Sequence, residues 1–227
     1  MTKKTISVLV ICALGVGSAL AGPTVSLTRI SGYYSGSGGE FQLTPNQDLM
    51  DLTSETGPYP SFCLEYNEKV SMGGVYDVSI ATEAILGGNN DGPAGPLGGD
   101  PLDPMTAYLY TNLRAGALAG YDYDPLGDRA ASAGALQEVI WYIEDEAGKG
   151  WTDGDDSLQD QFYALALGSG WTDLGKVRVL NLYAEGHLGD PQYHKQDQLA
   201  LVPAPGAVLM AGFGIGLLSW FRRSQFR

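Results

Sequence analysis

The sequence predicts an α+β domain in which an antiparallel β-sandwich or barrel-like sheet carries an inserted helical subdomain. Three observations lead there. Segments with period-two alternation and β-forming residues fill the first third of the body, helical periods fill the middle, and strand-like segments return before the C-terminus. A body of about 180 residues, rich in Tyr, Val and Leu, is long enough for its own core without disulfide staples. No repeat appears at solenoid periods. One domain over 22–201 is therefore expected, between an N-terminal segment 1–21 and a C-terminal segment 202–227.

Each element has a local reason. Strands are expected at Thr24 to Ile30, Glu40 to Leu43, Ser61 to Tyr66 and Val75 to Ile80, where alternation and β-formers dominate. The stretch GGNNDGPAGPLGGDPLDP, residues 87–104, has no apolar period and reads as a loop. A helix is expected from Pro104 or Met105 to about Leu118, followed by the turn GYDYDPLGD. A stronger helix covers Ala131 to Glu146, with Asp128 as N-cap and Gly148 as its stop. A shorter one covers Ser157 to Leu167. The stretches KVRVLNLYA (176–184) and QLALV (198–202) return to strand.

The two ends read as addresses. Lys3 and Lys4 precede an apolar run from Ile6 to Val16 and the small residues Ser18-Ala19-Leu20-Ala21, the pattern of a secretory signal peptide cleaved after Ala21. Cys12 leaves with that leader, so Cys63 is the one cysteine of the mature chain. At the other end, Val202-Pro203-Ala204-Pro205 introduces an apolar run from Ala207 to Phe221, then Arg222, Arg223 and Arg227. As a helix, fifteen residues span roughly 22 Å, a minimal crossing of a ~30 Å hydrocarbon core. The basic clusters at both extremes would hold each end in the cytoplasm while the middle is translocated.

This order of prolines, short glycine-rich apolar helix and terminal arginines resembles the PEP-CTERM sorting signal. Alanine at 204 stands where that family usually has glutamate. The resemblance implies recognition by an exosortase at the inner membrane. It also implies delivery to the cell-envelope surface or extracellular matrix, with the C-terminal transmembrane helix as anchor before any processing. An ordinary tail anchor is the other reading of the same segment.

Of 13 basic residues, five fall in the end segments, whereas all 26 acidic residues lie in the body, which thus carries a net charge of −18. That balance argues against nucleic acid or anionic membrane surface as partners. The acidic stretches from Asp91 to Asp103 and at 152–160 suit calcium by composition, but neither fits an EF-hand loop and no ligands are assigned. No cofactor is otherwise expected. His187 and His194 are too far apart for one helical metal face and are expected in a solvent-exposed hairpin connection. No G-x-S-x-G or phosphate-binding loop motif occurs.

Helical spacing puts Gln137 on the apolar face with Ala133, Leu136, Ile140, Trp141 and Glu144. Burying an amide there without partners costs a few kcal/mol, so Gln137 is hydrogen-bonded, exposed at a junction, or chemically converted. Phe62-Cys63, and Leu136-Gln137 with Ile140-Trp141, resemble the two motifs of TQXA-type thioester domains of bacterial surface proteins. They occur in the same order, 74 positions apart. Ala135-Leu136 stands where family members often carry threonine.

The resemblance implies an internal Cys63–Gln137 thioester, covered by Phe62, Tyr66, Trp141 and Tyr142. It implies a non-enzymatic function in adhesion or matrix attachment, the thioester capturing an amine-bearing surface protein or a polyamine. Two other readings stay open. One is a structural extracellular matrix protein with an unreacted, buried Cys63. The other is a cysteine hydrolase, which would need a histidine brought to Cys63 in space.

Overall fold

The computed structural model describes residues 22–36, 38–85, 99–146, 151, 154 and 157–203. The expected signal peptide and the part of the sorting segment from Ala204 through Arg222 and Arg223 lie outside these residues. Among the described residues no helix is long and apolar enough to cross a membrane.

In chain order the elements are β1 (Thr24–Thr28), β2 (Phe41–Pro45), α1 (Gln47–Leu52), β3 (Tyr59–Ser61), β4 (Val75–Ala81), β5 (Glu83–Ala84) and β6 (Asp100–Pro101). Then come α2 (Pro104–Arg114), α3 (Arg129–Ile143), α4 (Leu158–Gly168), β7 (Val177–Ala184), a 3₁₀ turn (Pro191–Tyr193) and β8 (His194–Leu201). Six strands form one antiparallel sheet in the order β3-β2-β1-β4-β7-β8, and β5 pairs with β6 separately. Three helices thus enter consecutively between the strands, as the sequence implies. The sandwich alternative does not hold, because the six strands make a single curled sheet.

Curling brings the two edges together. Beyond β3 the chain meets β8 through Leu199 N donating to Phe62 O (3.3 Å) and Leu64 N donating to Asp197 O (3.2 Å). The Ser61 hydroxyl adds a bond to Leu199 O (2.8 Å). Tyr110 of α2 places its hydroxyl 2.9 Å from Pro60 O and 3.0 Å from Leu199 O, and Arg114 holds buried Glu55 in a two-point pair at 2.7 Å. These contacts satisfy edge groups that would otherwise be open to pairing with another chain. The strand expected at Ser61 to Tyr66 accordingly ends at Ser61, and Cys63 keeps only an isolated bridge to Gln198.

Alternation decides which side chains point inward. Val25 and Leu27 of β1 are buried between Leu43 of β2 and Tyr76 of β4. Strand β7 is buried on both faces, with Val177 and Val179 in a cluster under α2, α3 and α4 and Leu180 and Leu182 in a second cluster within the curl. Residues 62–64 divide in the same way: Phe62 and Leu64 join the helical cluster, Cys63 the curl. Burying each large apolar side chain contributes roughly 1.5–3 kcal/mol.

Helix boundaries differ modestly from expectation. Helix α3 starts after Asp128, whose side chain makes no capping bond. It ends at Ile143, a turn short of Glu146, because Asp145 adopts φ 56° and the chain reverses there. Glu146 N reaches Trp141 O (2.8 Å) and Asp145 N reaches Tyr142 O (3.4 Å), the paired bonds of a Schellman turn. Helix α2 stops at Arg114, ahead of Gly116 at φ 67°. Helix α4 begins where expected, with the Ser157 hydroxyl accepting from Asp160 N. Helix α1 and the short β5–β6 pair were not expected from the sequence.

Candidate functional site

Helix α3 presents Gln137 at the seam between the two apolar clusters, with Leu136 and Ile140 in one and Trp141 in the other. Gln137 is 1 % exposed and Cys63 fully buried. The Gln137 amide oxygen accepts from Gly39 N (3.0 Å) and Cys63 N (3.3 Å), and the Cys63 thiol lies 3.3 Å from the same oxygen. The Gln137 amide nitrogen donates to Cys63 O (2.7 Å). Donors surround the oxygen and an acceptor faces the nitrogen, which fixes the amide orientation. Cys63 and Gln137, chosen from sequence, are thus brought together.

The loop ahead of β2 is shaped for this contact. A Cβ on Gly38 would stand 2.4 Å from Gln137 Cγ, and one on Gly39 would stand 2.6 Å from the Phe62 ring. Only glycine allows the backbone so close. The loop is anchored by Glu40, 3 % exposed, which takes a two-point ion pair from Arg129 at 2.8 Å and a hydrogen bond from the Tyr121 hydroxyl. Arg129 begins α3, so one helix supplies both the amide and the clamp on its donor loop. Its guanidinium also lies 3.9 Å over the Tyr33 ring.

Burial pushes the Cys63 thiol far above its ordinary range, with Glu65 adding to the rise; the nearby Trp141 indole and Arg29 oppose it. The Trp141 N–H makes no hydrogen bond of ordinary geometry. The sulfur is therefore held as a neutral thiol. A reaction between this thiol and the amide would rest on proximity and on the Gly39 and Cys63 N–H groups that donate to the Gln137 oxygen.

Of the cover residues, Trp141 packs with Cys63 in the curl, and Tyr66 meets it edge-on with ring centres 4.9 Å apart. Tyr66 is 44 % exposed, so it forms the outer leaf. A groove of about 490 Å³ opens there, bordered by Arg29, Phe41, Tyr66, Glu68, Trp141 and Gln196. Phe62 points to the other cluster and acts through Gly39. Tyr142 is not part of the cover: it packs against Trp151 and Tyr163 in the helical cluster. Five residues along a helix is roughly 140° of rotation from Gln137, which carries Tyr142 away from the thiol. Val202 and Pro203 follow β8, and Val202 N donates to Lys176 O (2.7 Å).

The histidines also depart from expectation. His187 does lie in the β7–β8 connection, stacked on Tyr193 at 3.5 Å. His194 instead opens β8 with its side chain 3 % exposed, its Nδ1 2.9 Å from Glu68 Oε1 and its Nε2 2.9 Å from Asp197 Oδ1. Burial works to lower the imidazole pKa, but bonds to Asp197 and Glu68 outweigh it and raise it to about 9. Both ring nitrogens are taken, so His194 does not serve Cys63. Buried Glu65, beside these acids, is pushed up by its burial and by the charge of Asp197.

Comparison of the chain with family models, with curated proteins and with solved structures finds no match.

Proposed function

We propose that this chain is an exported, non-enzymatic surface or matrix protein in which Cys63 and Gln137 join as an internal thioester that captures an amine-bearing partner. The observation that carries the reading is the buried Gln137 amide, its oxygen held by Gly39 N and Cys63 N with the Cys63 sulfur 3.3 Å away. The signal-peptide pattern and the PEP-CTERM-like tail support export and envelope sorting.

The chemistry balances in two steps. Cys63 Sγ attacks the Gln137 carboxamide carbon, a C–S bond forms and the C–N bond breaks. The thiol proton leaves on the nitrogen as ammonia. A primary amine then attacks the same carbon, forming an amide as the C–S bond breaks, and a proton returns to sulfur. Developing negative charge on the carbonyl oxygen is met in both steps by the two backbone N–H groups. Burial under Trp141 and Tyr66 keeps water from the electrophile. As a cross-link closing a loop of this length, the bond would stabilise the fold by about 4 kcal/mol.

Intact mass of the full chain tests the reading. The processed protein should be lighter than its sequence by one ammonia, and methylamine should add its own mass while releasing one titratable thiol. Full mass with an immediately titratable thiol would sink the proposal and leave a structural matrix protein. Turnover that survives Gln137→Ala but not Cys63→Ala would mark a cysteine hydrolase instead.

A further inference from the structure

Two buried amides border Cys63, and their surroundings differ. Gln137 has partners for both its oxygen and its nitrogen. Gln198 of β8, 0 % exposed, has a hydrogen-bond partner for neither. Its place beside the thiol follows from the register. Leu199 N donating to Phe62 O and Leu64 N donating to Asp197 O flank the bridge between Cys63 and Gln198, which makes them a non-hydrogen-bonded antiparallel pair. In such a pair the Cα atoms stand about 4.5 Å apart and the two side chains share a face. That face is the interior of the curl, because Ala200, two residues on, and Leu180, which pairs with Gln198 from β7, belong to the cluster that holds Cys63. An amide buried there without partners weakens the fold.

Trp141, in the same cluster, repeats the pattern. Its buried indole N–H completes no hydrogen bond of ordinary geometry, yet it acts on the Cys63 thiol in the direction that favours the thiolate. We propose that Gln198 donates through its Nε2 to the Cys63 sulfur, alongside the Trp141 N–H, and so meets the negative charge that the sulfur carries while the C–S bond forms and breaks. The proposal rests on the thioester reading and divides the labour of that site. Gly39 N and Cys63 N serve the carbonyl oxygen, and the two side chains serve the sulfur.

The chemistry needs such donors twice. When Cys63 attacks Gln137, its proton passes to the departing nitrogen and the sulfur gains charge that burial opposes. When an amine displaces it, the sulfur leaves the carbon with the bonding electron pair and then takes a proton from that amine. A neutral thiol accepts hydrogen bonds weakly and a charged sulfur strongly, so donors idle in the resting protein contribute most in the transition state. Gln198 is not itself the acyl group, since no N–H polarises its oxygen.

The test uses Gln198→Met and Gln198→Leu in the full chain, two apolar replacements of different shape that remove both unpartnered atoms. Urea unfolding, ammonia loss by intact mass, and the rate at which methyl methanethiosulfonate modifies the Cys63 thiol are measured on each. The thiol is the one that methylamine releases, or the unreacted one if the unaltered chain loses no ammonia. In at least one variant the urea midpoint should hold or rise, because an unpartnered amide leaves the core. In that same variant ammonia loss and thiol modification should each slow at least about tenfold, the factor that a hydrogen bond to a charged group carries. A glutamine that only supports the fold would do the reverse, its loss lowering the midpoint and exposing the thiol to faster modification. A midpoint lowered in both variants, or a thiol modified as fast as in the unaltered chain, would overturn the proposal. Failure of the thioester reading shows separately, as full mass in the unaltered chain, and the thiol rates still decide the role of Gln198.

Discussion

Replacing Gly38 by alanine should separate the geometry of the proposed thioester from the fold that carries it. Carbon atoms in good contact sit about 3.5–4.0 Å apart. The new methyl would stand 2.4 Å from Gln137 Cγ, 3.0 Å from its Cβ and 3.3 Å from its Cδ. Either the loop or the glutamine must therefore retreat by about 1 Å. Retreat of the loop withdraws Gly39 N from the amide oxygen, and retreat of the glutamine moves its carbon from the sulfur. A misplacement of that size in a near-attack geometry costs on the order of 10²-fold in rate. Overpacking costs about 1–3 kcal/mol in stability. Sampling newly made full chain over time by intact mass gives the rate of ammonia loss, and a urea titration gives the stability. If Gly38→Ala loses ammonia as fast as the unaltered protein, the close approach is not what positions Gln137.

Three further outcomes are expected. Tyr66→Ala removes the exposed leaf over Trp141 and should make methylamine opening several-fold faster with little change in the urea midpoint; an unchanged rate would place the amine's route elsewhere. Arg129→Gln leaves buried Glu40 without its two-point partner, a loss of about 3–5 kcal/mol in urea unfolding; a loss below about 1 kcal/mol would show that the Tyr121 hydroxyl suffices. Burial raises the Glu144 carboxyl from 4.5 to about 8, so the folded state holds a proton that the unfolded state releases. Stability from this group is full below about pH 4.5 and lost as pH rises to about 8, by several kcal/mol at about 1.4 kcal/mol per pH unit. Urea midpoints of Glu144→Gln should lack that part of the decline, and identical pH profiles for the two proteins would refute the assignment.

Much of the fold was legible because it is written locally. Strands β1 and β4 follow period-two alternation, and α2, α3 and α4 follow helical periods with Asp103, Asp128 and Ser157 at their starts. Errors arose where long-range contacts override local preference. The expected strand at Ser61 to Tyr66 is bent by its pairing with β8 and by Gln196, neither visible in its own sequence. Tyr142 looked like cover because it adjoins Trp141, yet adjacent helical residues face different ways. His194 looked solvent-exposed because it lies in a polar stretch, and only the return of the Glu65–Glu68 turn buries it.

The sequence by itself singled out Cys63 and Gln137, since a single cysteine in the body behind a signal-peptide-like leader and an amide on an apolar helical face are anomalies of residue type and spacing. It also determined the acidic body and the two end segments, which depend on composition and order alone. Tertiary structure decided whether the pair meets, 74 positions apart, and what surrounds it. The Gly38-Gly39 run could have been any flexible loop. Its role appears only once Arg129 clamps Glu40 and the curled sheet closes on β8, because a backbone donor has no sequence signature and acts only where the folded chain carries it.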